Sequence, residues 1–169
     1  DKEAIFAYGH SLGGGVAIYV SAINPQDIAG VITDNTFTCI EDMMDINITL
    51  NTHPPKICSM QDAIYPKWTP YVHVKFLLRN HWPSIAHVEG LPSALLFLCG
   101  NLDGMVPPWM SHKLFEAAKG TSCKEFKSFP GGSHEDTWLQ PGYFDTIKLF
   151  VNKVLRKEGK LIEKGKATK

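Results

Sequence analysis

Residues 4–15 read Ala4-Ile5-Phe6-Ala7-Tyr8-Gly9-His10-Ser11-Leu12-Gly13-Gly14-Gly15, and this stretch decides the fold. The apolar run Ala4 to Tyr8 stops at Gly9 and reads as a short buried strand. From Leu12 the apolar positions 12, 16, 17, 20 and 23 keep helical spacing, which closes at Asn24-Pro25. Between strand and helix, Gly9-His10-Ser11-Leu12-Gly13 fits G-x-S-x-G. In that setting the pattern describes a nucleophile elbow, a strained turn that holds a serine hydroxyl clear of the backbone. The flanking glycines are expected because a Cβ would collide where helix and strand pack closely. The plainer alternative is a glycine-rich turn with no chemistry. A phosphate cradle is excluded: no Lys-Ser/Thr follows, and the glycines at 13, 14 and 15 do not form G-x-G-x-x-G.

Further along, Ile28 to Thr33 is a second strand rich in β-branched residues. Residues 36–90 are irregular. Ile40, Met43, Met44 and Ile48 share one helical face, as do Val72, Phe76 and Leu77, but Pro54-Pro55, Pro66 and Pro70 break any long element. Regularity returns with a third apolar strand, Ala94 to Cys99. A helix is expected from Pro107-Pro108 to Gly120, with apolar residues at 110, 114, 117 and 118. Cys123 to Phe129 alternates with charges like an edge strand. A final amphipathic helix places Phe144, Ile147, Val151 and Val154 on one side. Strand-helix-strand, an insert, then strand-helix-strand-helix predicts an α/β fold, a parallel sheet with helices on both faces.

An elbow serine is inert without a base and a group to orient that base. The chain order serine, acid, histidine, with the last two on loops after later strands, selects Asp103 and His134 as partners of Ser11. Singly each is weak, since an Asp in a Gly/Asn turn often only caps it and a loop histidine is usually exposed. Asp34, directly after the second strand, is the alternative acid. His10 supports the elbow or lines the pocket. The backbone N–H of Leu12, at the helix N-terminus, is one oxyanion donor. Trp82, Trp109 and Trp138 either line an acyl pocket or pack the core, with Trp138 the pocket candidate. Phe37, Met43 and Met44 read as core first, with a lid or pocket role second. His112 falls within a helix, and His53, His73, His81 and His87 read as surface residues of the insert.

The chain has 169 residues, 44% of them hydrophobic and 20% charged, which suits one domain. Its 17 basic and 17 acidic residues balance, so no global field draws it to nucleic acid or an anionic membrane. Residues 153–169 carry seven basic and two acidic side chains, leaving this end at +5 and the rest at −5. No apolar run approaches the roughly 20 residues that span a bilayer. Cys39, Cys58, Cys99 and Cys123 lie far apart, without C-x-x-C or Cys/His spacing, so reduced thiols are expected rather than a zinc site or disulfide scaffold.

Taken together, Gly9-His10-Ser11-Leu12-Gly13-Gly14, Asp34-Asn35-Thr36-Phe37-Thr38, Leu96 to Asp103 with Val106-Pro107-Pro108, and His134-Glu135-Asp136-Thr137-Trp138 with Gly142-Tyr143-Phe144 resemble the bud-emergence-type α/β hydrolases. The resemblance runs from Ile5 to about Val154. It implies that Ser11 is nucleophile, Asp103 acid and His134 base. The family usually has Glu where this chain has Asp34, and Asn where it has Glu135, which adds a negative charge beside the histidine. Related members remove palmitate from cysteines of membrane proteins and resemble single-pass proteins anchored N-terminally. The expectations are therefore the C-terminal half of an α/β-hydrolase fold over residues 1–155, with a lid-like insert at 36–90, and a basic, disordered tail at 156–169. In complete form it is expected to be a serine hydrolase of acyl esters or thioesters, acting on an acylated small molecule or protein. It would use no cofactor, metal or nucleic acid, and would be membrane-associated through a preceding segment. That segment is also expected to carry the second oxyanion donor, so residues 1–169 alone are expected to lack turnover. The alternative is a non-catalytic hydrolase-like binding module or an inactive fragment.

Overall fold

The computed structural model describes residues 4–43 and 82–167, with side chains as far as Arg156. In chain order the elements are β1 (Ile5–His10), α1 (Leu12–Ile23), β2 (Ile28–Asp34), α2 (Ser84–Glu89), β3 (Ala94–Gly100), α3 (Pro108–Ala117), β4 (Lys124–Phe129), a 3-10 turn (Thr137–Leu139) and α4 (Tyr143–Ala167). The four strands form one parallel sheet in the order β1-β2-β3-β4. Register aligns their C-terminal ends: His10 lies opposite Asp34, Asp34 opposite Leu98, and Gly100 opposite Phe129. All the loops that leave those ends therefore emerge along one edge of the sheet.

Strand alternation divides the core in two. Val31, Leu95 and Phe97 pack with Ile18 of α1, Val88 of α2 and Leu114 of α3 on one face. Ile32, Leu96 and Leu98 pack with Tyr143, Phe150 and Val154 of α4 on the other. β3 is buried at all seven positions, as a strand covered on both faces must be. Each such Leu or Phe contributes roughly 1.5–3 kcal/mol by leaving water. β4 is an edge strand, as its charges suggested.

Three expectations are corrected. α1 buries its small face, Gly14, Gly15, Ala17, Ile18 and Ser21, and leaves Leu12, Val16, Tyr19, Val20 and Ile23 outward. The sheet takes the side on which the backbone can approach most closely. On α4 the face toward the core is Tyr143, Ile147, Phe150, Val151 and Val154, while Phe144 is exposed. The backbone of α4 also continues helical to Ala167, where a disordered tail was expected from 156. Lysines and glutamates are good helix formers, and the basic excess sits at the negative end of the helix dipole. Of the insert, residues 36–43 and 82–90 are described, including α2, and Ile40 and Met43 pack with Phe37, Val106 and Met110. The expectations for Met44, Ile48, His53, Cys58, Val72, His73, Phe76, Leu77 and His81 lie outside the described residues.

Candidate active site

Ser11 sits between β1 and α1 with φ 52° and ψ −120°, a left-handed backbone that is unusual for a residue with a side chain. Such a conformation costs on the order of 1–3 kcal/mol and persists only where the surroundings enforce it. Here the Ser11 N–H donates to the Asp34 carbonyl at 2.8 Å, and the Ser11 carbonyl accepts from Gly14 N–H at 3.0 Å and Thr36 Oγ1 at 2.7 Å. A Cβ at Gly9 would overlap the Gly13 carbonyl, and one at Gly14 would overlap Thr36. Gly13 itself has open space where its Cβ would stand. The steric need thus falls on Gly9 and Gly14 rather than on both glycines of the motif.

The Asp103 and His134 loops meet this turn from the same sheet edge. His134 Nε2 is 3.1 Å from Ser11 Oγ, and His134 Nδ1 is 2.7 Å from Asp103 Oδ2. The other Asp103 oxygen accepts from the backbone N–H groups of Met105 at 2.8 Å and Val106 at 2.7 Å. Asp103 is 5% exposed and its carboxylate is held at both oxygens. An ionised carboxylate only accepts, so Nδ1 carries the proton and Nε2 is free to take one from Ser11. Burial of the imidazole opposes its charged form. The Asp103 hydrogen bond and charge outweigh that, aided by Glu135 and Asp34, and hold the His134 pKa above its ordinary value.

His10 lies against the base: its Nε2–H donates to the His134 carbonyl at 2.8 Å, and the two rings are 4.8 Å apart. Asp34, the alternative acid, is not His134's partner. Its Oδ2 accepts from Tyr143 at 2.8 Å and Tyr8 at 3.3 Å, and burial raises its pKa against those hydrogen bonds. Phe37 is buried against Gly15 and packs among Val106 and Met110. Trp138 is half exposed and donates Nε1–H to the Glu135 carbonyl. Trp109 is partly exposed beneath the Lys113 ammonium, and Trp82 packs edge-on to Tyr19. Leu12 opens α1, which places its N–H at the positive end of the helix beside Ser11. His112 stacks on Phe126, away from the site. Cys99 is buried and its thiol is pushed up to about 11, which leaves it unreactive.

The sequence reading missed Asn35. It also has positive φ, 48°, and its buried carboxamide reaches the loops of both Asp103 and His134. The available signal was an Asn directly after a strand, where left-handed turns favour it.

No family model matches the chain. It is 32% identical over 158 residues to the α/β hydrolase domain-containing protein WAV2 of Arabidopsis thaliana, covering 90% of this chain and 48% of that protein. It is 35% identical over 153 residues to protein bem46 of Schizosaccharomyces pombe, covering 89% and 44%. Among solved structures it superposes on a Paleococcus ferrophilus monoacylglycerol lipase with TM-score 0.56 at 20% identity, over 91% of this chain and 69% of the lipase. The fold is that of the α/β hydrolases. A Pyrococcus horikoshii acylaminoacyl peptidase has the same fold, with TM-score 0.63 at 17% identity over 93% of this chain and 24% of the peptidase. An uncharacterized membrane protein of Saccharomyces cerevisiae is 33% identical, covering 89% of this chain and 46% of its own length. The chain spans about half the length of the curated relatives it matches. Among the described residues, no helix is long and apolar enough to cross a membrane.

Proposed function

We propose that the protein is a serine hydrolase of acyl esters or thioesters, with Ser11 as nucleophile, His134 as base and Asp103 as the acid that orients it. The observation that carries this is the unbroken hydrogen-bonded line from Asp103 through His134 to Ser11 at a strained elbow. Ser11 Oγ attacks the acyl carbonyl carbon while its proton passes to His134 Nε2. Asp103 keeps the imidazole in the required tautomer and steadies its positive charge. The Leu12 N–H supports the oxyanion of the tetrahedral intermediate. As that intermediate collapses, the bond to the alcohol or thiol breaks, and the leaving group takes the proton from Nε2. A water molecule, deprotonated by the same nitrogen, then releases the acid from Ser11.

The esterase and lipase names among the fold neighbours favour acyl substrates. Removal of a fatty acyl group from a protein, by an enzyme tethered to a membrane through a segment preceding these residues, is the finer reading. The name of the yeast relative is compatible with that tether.

A fluorophosphonate probe is expected to label Ser11, with labelling lost in Ser11→Ala. Asp103→Asn should lower kcat by about 10⁴-fold, because the wrong tautomer is then favoured. Asp34→Asn should cost much less. Absence of labelling in the folded, full-length protein would instead support a hydrolase-like binding module, and the reverse ranking of the two Asp variants would hand the orienting role to Asp34.

A further inference from the structure

Each of the three loops that meet at the site is fastened to the same three consecutive residues. Asp34 accepts the Ser11 N–H through its carbonyl, and Thr36 holds the Ser11 carbonyl. Asn35, between them, is 1% exposed and fastens the other two. Its Oδ1 accepts the Gly100 N–H at 2.8 Å, at the end of β3 where the turn to Asp103 begins. Its Nδ2 faces Ser133 O at 3.1 Å, His134 O at 3.3 Å and Thr137 Oγ1 at 3.0 Å. These partners fix which end of the carboxamide is which, since an amide N–H needs an acceptor and carbonyls need a donor. Its own N–H donates to Leu98 O at 3.1 Å. Thr137 closes the unit by donating to Ser133 O at 2.6 Å.

We propose that Asn35 is a positioning residue for the reaction: its carboxamide sets the separation of the Asp103 and His134 loops and so the reach of Nε2 to Ser11. This rests on the serine-hydrolase reading. A donor and an acceptor are both required, at a backbone angle that Asn, Asp and Gly tolerate best. Among the described residues other than glycine, positive φ also occurs at Ser11 and Trp82, and of these three only Asn35 fastens both partner loops of the serine.

Asn35→Asp keeps the shape but sets an oxygen against two carbonyls. Asn35→Gly removes the carboxamide and is relaxed at this φ. Both would be assayed in the purified full-length protein with p-nitrophenyl butyrate, and kcat would be expressed per fluorophosphonate-labelled Ser11. The expected result is a fall in kcat of about 10- to 100-fold with KM within about twofold, the pattern of a misplaced catalytic group. A purely structural role would lower the labelled fraction and the Tm while leaving kcat per labelled site unchanged, and that outcome overturns the proposal. If the Asp variant does not fold, the Gly variant decides. A full-length wild-type protein that neither labels nor turns over ester would overturn the hydrolase reading itself, a result distinct from labelled variants with wild-type kcat.

Discussion

Glu135 stands next to the base and is exposed, so its effect on His134 is purely one of charge through solvent. Under the serine-hydrolase reading, the imidazole must be neutral to accept the Ser11 proton. A raised pKa therefore withholds the base until the pH climbs past a midpoint above the ordinary 6.5. Glu135→Gln removes one of the charges that raise it, and the acid limb of kcat/KM should move to lower pH. The shift should shrink as salt is added, since exposed charges are screened over about 8–10 Å at moderate ionic strength. An acid limb unmoved by the substitution at low salt would show that Asp103 alone sets the titration. Asp103 differs from Glu135 in kind, because its carboxylate is buried and its second oxygen is held by two backbone donors.

At the scale of the element, the junction of β1 and α1 separates the glycines that the turn requires from the one it does not. Gly14→Ala should lower the Tm, since its Cβ has nowhere to go but into Thr36. Gly13→Ala meets nothing and replaces the poorest helix former but proline with the best, so it should raise stability by roughly 0.5–1 kcal/mol. Equal losses in the two melting curves would contradict this account. The same junction marks what could be read in advance. Strand and helix positions were legible because period and punctuation are local properties of the chain. The side α1 turns to the sheet was not, because an apolar stripe at 12, 16, 20 and 23 outweighs Gly14, Gly15 and Ala17 in any count of hydrophobicity. Close packing chose the small residues. The meeting of Ser11, Asp103 and His134 at one sheet edge was legible from order and loop position. Asn35 was not, because the partners of its carboxamide lie 65 to 102 residues away and nothing in its neighbourhood announces them.

At the scale of the whole molecule, the described residues present an apolar margin where β1 ends their sheet. Ile5 and Tyr8 on the strand, and Val16, Tyr19, Val20 and Ile23 on α1, are all substantially exposed. Apolar edge strands template pairing with other chains, and contiguous apolar patches drive association. A sample of residues 1–169 should therefore self-associate in light scattering, and Val16→Lys with Ile23→Lys should shift it toward monomer. A monodisperse monomer without these substitutions would show that the margin is benign. The opposite margin differs, with β4 carrying Glu125 in an ion pair with Lys153 at 2.5 Å. Between the two margins lies the feature with the widest reach: Ser11 and His134 touch although 123 residues separate them, and the turn at 34–36 fastens both. Contacts between residues so far apart in sequence slow the folding of a chain as a whole. Under the serine-hydrolase reading, the nucleophile has its base only where the sheet is assembled from β1 through β4, so capture of Ser11 by a probe doubles as a gauge of native assembly.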